Sequence, residues 1–158
     1  MHAYWAVIEG DGDNYGAFVP DVIGAVGAGP TPEAALEGLR ESLAVLLADL
    51  QGRGEPPPSP TPREHIDVSE FEAREPLRFV LVEPVPLNPV SLAIEQALKR
   101  SGITKAELAR RMGISRPTAT RITDPLYWGH SSDTLRRVAA ALNADMRVSF
   151  EISEAVHA

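Results

Sequence analysis

Two short runs near the start of the chain, 3–9 (AYWAVIE) and 15–19 (YGAFV), are dense in aromatic and β-branched residues. The turn-forming cluster GDGDN separates them, so together they predict a β-hairpin. A third run, 24–29 (GAVGAG), lies between Pro20-Asp21 and Pro30-Thr31-Pro32 and predicts a weak edge strand. From Thr31 the apolar spacing changes to three and four. Leu36, Leu39, Leu43, Leu46 or Leu47, and Leu50 then share one face of a helix running to about Gln51. Thr31 is its expected N-cap, Pro32 its first helical residue, and Gly52 and Gly54 its stops. The stretch 55–62 (EPPPSPTP) must be an extended excursion, because its prolines can neither donate to a helix nor continue one. A strand over 78–85 (RFVLVEPV) completes a β-β-β-α-β order.

Pro84, Pro86 and Pro89 make a stiff connector, which puts a domain boundary near residue 88. Beyond it, 90–101, 104–112, 115–123 and 132–142 read as four short helices. Ser101-Gly102 and Gly113 break the first two, and Thr104 and Ser115 supply capping oxygens. In the last helix Leu135, Val138, Ala139 and Leu142 share a face, and Asn143 suits a left-handed stop. Met146, Val148, Phe150 and Ile152 then alternate with Arg147, Ser149 and Glu151, the pattern of a half-buried strand. The fold class expected is α+β: a small β-β-β-α-β domain over 1–87, then an all-helical helix-turn-helix domain over 88–158 with a terminal β-strand.

Composition narrows the chemistry. At 44% apolar, the 158 residues suffice for a buried core. The absence of cysteine excludes disulfides, thiolate nucleophiles and cysteine-ligated metal centres. No apolar run approaches a bilayer span, and MHAYWAVIEGDG lacks a basic stretch followed by an apolar one. A soluble, cytoplasmic protein with no membrane partner is expected. The formal charge of −7 argues against binding a polyanion only if it is uniform, and it is not. Residues 1–87 hold 5 basic and 15 acidic residues, whereas 88–158 hold 10 basic and 7 acidic. Within 99–137 nine cations (Lys99, Arg100, Lys105, Arg110, Arg111, Arg116, Arg121, Arg136 and Arg137) face three anions (Glu107, Asp124 and Asp133). Opposite signs on the two halves predict two modules with different partners.

In 104–123 (TKAELARRMGISRPTATRIT), Leu108, Ala109 and Met112 line the inner face of one helix, and Ile114, Ala119 and Ile122 that of the next. Ala109 permits a close crossing, and Gly113 can take the positive φ that turns the chain. This pattern resembles the helix-turn-helix of the lambda-repressor and Cro-like superfamily, over about residues 92–142. The resemblance implies that 115–123 is the recognition helix, with Arg116, Pro117, Arg121 and Thr118 at base edges. Lys105, Ser115, Ser131 and Thr134 match positions that meet phosphates. Arginine suits base reading because its planar fork donates two parallel bonds to guanine O6 and N7. The chain departs from the pattern at Ala119, where a bulkier aliphatic is usual, and at Asp124-Pro125-Leu126-Tyr127-Trp128, which replaces a shorter polar loop.

The run 15–24 (YGAFVPDVIG), followed by 29–35 (GPTPEAA) and the leucine-striped helix, resembles the HicB antitoxin family. Ile23 and Ala25 depart from it, standing where proline and often cysteine are common. The resemblance implies a domain like a truncated ribonuclease H fold that blocks a small basic HicA-like toxin, an mRNA endonuclease, joined to a DNA-binding domain that represses its own operon. An acidic surface steers a basic partner. Glu9, Asp11, Asp13 and Asp21 are toxin-facing candidates, with the outer helix face Glu33, Glu37 and Glu41, and Tyr15 and Phe18 as apolar anchors.

Enzymatic readings are weaker. Metal-dependent nuclease chemistry needs converging carboxylates, and Glu9, Asp11 and Asp13 sit in and beside a turn. DGDNYG imitates the start of a calcium loop, but Tyr15 and Val22 occupy its fifth and twelfth positions, where oxygen ligands are required. His2, His65, His130 and His157 are scattered. No catalytic residue, metal or cofactor is expected. A single helix-turn-helix reads only a half-site, so a homodimer or higher oligomer is expected, paired through Met146, Val148, Phe150 and Ile152. The competing reading is a repressor whose N-terminal domain senses a small ligand or another protein.

Overall fold

A computed structural model describes residues 3–67, 69 and 77–150. The chain divides into two compact units, Met1–Leu87 and Asn88–Ala158.

The first unit is a four-stranded antiparallel sheet with one long helix on one face. Its strands are β1 (Tyr4–Asp11), β2 (Asn14–Phe18), β3 (Val26–Gly29) and β4 (Arg78–Val82), in the spatial order β3-β2-β1-β4. The hairpin register pairs Val7 with Phe18 and Asp11 with Asn14, leaving Gly12 (φ 60°) and Asp13 as the turn. Helix α1 (Pro32–Gly52) starts where expected, with the Thr31 hydroxyl accepting from the Ala34 amide at 3.1 Å. Tyr4, Ala6, Ile8, Ala17 and Val82 from the sheet, with Val19 just past β2, bury themselves against Ala35, Leu39 and Leu43 of α1. Gly27 is what allows this contact: a Cβ there would lie 2.1 Å from the Ala35 carbonyl oxygen.

The second sheet face is also apolar, which strict alternation does not predict. Val7 is fully buried between its cross-strand neighbours Phe18 and Phe79, and Trp5 lies across from Leu81. The proline-rich excursion leads into part of the cover. It is followed by a single 3-10 turn, Arg63–His65, that the sequence pattern does not reveal, and the Arg63 guanidinium lies 5.0 Å from the Phe79 ring and 5.9 Å from that of Trp5. Two polar ties hold the excursion itself. The Tyr4 hydroxyl donates to the Pro58 carbonyl at 2.9 Å, and the Asp21 carboxylate accepts from the Thr61 amide at 3.0 Å and hydroxyl at 2.5 Å. Strand β4 ends at Val82 rather than at residue 85, and the Val85 amide turns away to the Arg40 carbonyl.

Among its described residues the second unit has four helices, α2 (Pro89–Ser101), α3 (Lys105–Met112), α4 (Arg116–Ile122) and α5 (Ser132–Leu142). Ile94, Leu98, Leu108, Met112, Ile122 and Val138 form its core. Each helix opens on a side-chain cap, supplied by Asn88, Thr104, Ser115 and Ser131. Gly102, Gly113 and Asn143 all adopt left-handed backbone at helix ends, as their positions predict.

The expected terminal strand is absent among the described residues. Residues 144–150 pair with no other segment there, and Val148 and Phe150 are 66% and 91% exposed rather than half-buried. A single alternating segment at the end of a helical unit has no neighbouring strand to complete its ladder. Ile152 lies outside the described residues.

Candidate functional site

Helix α4 buries Ala119 and Ile122 and leaves Arg116, Pro117, Thr118, Thr120 and Arg121 exposed. Arg116 and Thr120, like Pro117 and Arg121, are four residues apart, so these four side chains form one outward strip. Pro117 is harmless in the first turn, where its missing N–H would have no helical partner. Ala119, smaller than the usual residue at that point, is fully buried. Thr120 was missed by sequence reasoning, although its spacing from Arg116 signals it.

The remaining sequence candidates have work in the fold. Ser115 Oγ accepts from the Thr118 amide at 3.3 Å and shares a 2.8 Å hydroxyl contact with Thr118, and Ser131 caps α5 through Thr134 in the same way. Each pair of hydroxyls keeps one proton to offer outward. Lys105 Nζ forms a 3.1 Å ion pair with Glu95. Several cations of the basic segment hold the unit together: Arg137 donates to the Met112 carbonyl, Arg111 to that of Ala141, and Arg110 and Arg111 both grip Glu107. Hydrogen bonds from Arg110 and then Arg111 lower the Glu107 pKa to about 2. Lys99, Arg100, Arg116 and Arg136 are exposed and form no ion pair among the described residues.

Behind α4 the 124–130 loop is knotted by groups that sequence spacing did not flag. Buried Asn88 accepts from the Val90 amide as helix cap, and its side-chain amide donates to the Tyr127 carbonyl at 2.8 Å and to His130 Nδ1 at 3.2 Å. His130 Nε2 donates to the Ile122 carbonyl at 2.8 Å, so Nε2 carries a hydrogen in this network. The Tyr127 ring meets His130 edge-on at 5.1 Å, and the Arg121 guanidinium lies 5.1 Å over that same Tyr127 ring.

In the first unit the acidic candidates separate. Glu9, Asp11 and Asp13 follow the β1–β2 hairpin to its tip, where Asp11 and Asp13 are exposed. The Asp21 carboxylate is taken by Thr61. Tyr15 packs on the α1 side, and Phe18 lies on the opposite sheet face, across from Val7. The two aromatics therefore cannot anchor one partner surface together, because an odd separation along a strand reverses the face. Glu33, Glu37 and Glu41 are exposed along α1. Glu33 and Glu37 also border an open groove between α1 and β4, lined by Leu36, Val80 and Val82. Among the described residues no three His, Asp or Glu side chains gather as a metal-holding group, and no helix is long and apolar enough to cross a membrane.

Residues 93–147 match the model of the Cro/C1-type HTH DNA-binding domain. Across 135 residues the chain is 30% identical to Antitoxin HicB 1 of Photorhabdus laumondii subsp. laumondii, covering 84% of this chain and 76% of that relative. The chain belongs to the HicB antitoxin family. Among solved structures, the chain is similar to a chain of the HicA3 and HicB3 toxin-antitoxin complex, at 28% identity and a TM-score of 0.42. It covers 54% of this chain and 100% of that one. In this HicB-family chain the helix-turn-helix match coincides with the unit whose α4 carries the outward arginine strip.

Proposed function

We propose that the protein is a toxin-neutralising antitoxin that also represses its own operon, acting in the cytoplasm by binding alone and without catalysis. The observation that carries this reading is the union, in one HicB-family chain, of a Cro/C1-type DNA-binding unit with an acidic sheet-and-helix unit. The division of labour follows residue 88. Residues 1–87 take a small basic HicA-like toxin, with Glu33 and Glu37 beside the α1–β4 groove and Asp11 and Asp13 at the hairpin tip as its electrostatic partners. Residues 88–158 take operator DNA, with Arg116, Pro117 and Arg121 at base edges and Ser115, Lys105, Ser131 and Thr134 beside phosphates. Thr118 is better suited to the phosphate group than to base reading, since its hydroxyl is shared with the Ser115 cap.

Pairing of two copies through Met146, Val148, Phe150 and Ile152 would give each exposed alternating segment a ladder partner and present two recognition helices to a palindrome. The test is a titration of the full-length protein against duplex DNA from upstream of its own gene and against a scrambled duplex. Selective retardation of the upstream fragment, together with lower output from a reporter under that promoter, is expected. Equal affinity for both duplexes would overturn the repressor half of the reading.

A further inference from the structure

We infer that Tyr127 is a positioning residue for base reading: it holds the Arg121 guanidinium in its reading orientation and so sets base preference without touching DNA itself. This rests on the assignment of Arg121 to a base edge. Arg121 stands at the C-terminal end of the outward strip of α4, on a long exposed side chain with many rotamers to lose on binding. A side chain already held in place has less of that entropy to lose. The electron-rich Tyr127 face, 5.1 Å from the guanidinium carbon, supplies the hold.

Tyr127 is itself fixed from several sides. Its amide donates to the Asp124 carbonyl at 3.0 Å, its hydroxyl to the Gly129 carbonyl at 2.9 Å, and its own carbonyl accepts from buried Asn88 at 2.8 Å. The Asn88 backbone N–H in turn donates to the Pro125 carbonyl at 2.7 Å, and His130 braces the ring edge while bonded to the end of α4 at Ile122. Glycine at 129 is part of the fit, because a Cβ there would lie 2.5 Å from the Tyr127 hydroxyl and 2.7 Å from its ring carbon. The loop at 124–128 that departs from the usual helix-turn-helix pattern thus ends as a platform under one recognition-helix arginine.

The test is binding-site selection from a pool of random-centre duplexes by the full-length protein and by its R121A, Y127L, Y127F and G129A forms, followed by affinities at fixed salt on the selected site. Expected for Y127L is a roughly two- to fivefold loss on the selected site with little change on random duplex. Relaxed preference should appear at the same base pair that R121A relaxes, and Y127L should add nothing in the R121A background. Y127F, which keeps the aromatic face, retains the preference, whereas G129A, which displaces the ring, relaxes it. Uniform weakening on all duplexes by Y127L, or a full additional loss in the R121A background, would overturn the positioning role. If R121A itself leaves base preference intact, the assignment of Arg121 falls and the inference falls with it.

Discussion

Arginine side chains in the second unit divide by what their guanidinium groups already hold. Arg137, Arg111 and Arg110 spend theirs on helix-end carbonyls and on Glu107, whereas Arg116 has no partner among the described residues and Arg121 has only an aromatic face. Replacing Arg116 or Arg121 by alanine should therefore cost about 1–3 kcal/mol on the cognate site and relax base preference, with thermal stability nearly unchanged. Fluorescence anisotropy on cognate and scrambled duplexes separates this from phosphate contact, which would weaken both equally. Glu107 makes the opposite prediction. Its folded pKa of about 2 lies below that of a free glutamate, so its contribution to stability is present above the ordinary carboxylate range and is lost as pH falls toward 2. The stability gap between wild type and E107Q should be open at pH 6 and close through this acid window; a gap that does not change with pH would contradict the ion-pair origin. The charges of Arg110, Arg111 and Arg137 were legible in the sequence, but not that they are used internally, because carbonyl partners at helix ends are fixed only by packing.

Elements were legible where apolar spacing and end signals agreed. Thr31, Thr104 and Ser115 cap the helices they precede, and the leucine stripe of α1 does face the sheet. Three features were not. Apolar residues at both parities of β1 concealed that Trp5 and Val7 face away from α1, under cover that includes Arg63. The ties of Tyr4 and Asp21 to Pro58 and Thr61 join residues 40 or more apart in sequence and leave no local signature. The terminal alternation predicted a strand that does not form among the described residues, where no neighbouring segment pairs with it. At this scale Gly27 is the sharpest test of the α1–β3 packing: G27A should destabilise the first unit by about 1–3 kcal/mol, read as a lowered denaturation midpoint with unchanged slope. If two copies pair as proposed, deleting residues 146–158 should leave a monomer by sedimentation while the four helices of the second unit stay folded. Retention of the same oligomer would place the interface elsewhere.

For the whole molecule, the net charge of −7 averages an acidic unit and a basic one, and the boundary at residue 88 separates them. The order β-β-β-α-β followed by a helix-turn-helix was legible almost in full, because each half carries its own periodicity and the prolines between them interrupt both. A partner surface is harder to read. It depends on which residues share a face, and Tyr15 and Phe18, three apart on one strand, do not. Charge-reversing E33K and E37K beside the α1–β4 groove should weaken toxin capture and slow association more at low salt than at high salt. Neutralisation is tested most directly by RNA cleavage by any small basic HicA-like toxin encoded beside this gene, measured as the purified full-length protein is titrated in. Cleavage that falls to zero near stoichiometric addition is the predicted result; cleavage that persists at excess would contradict the account.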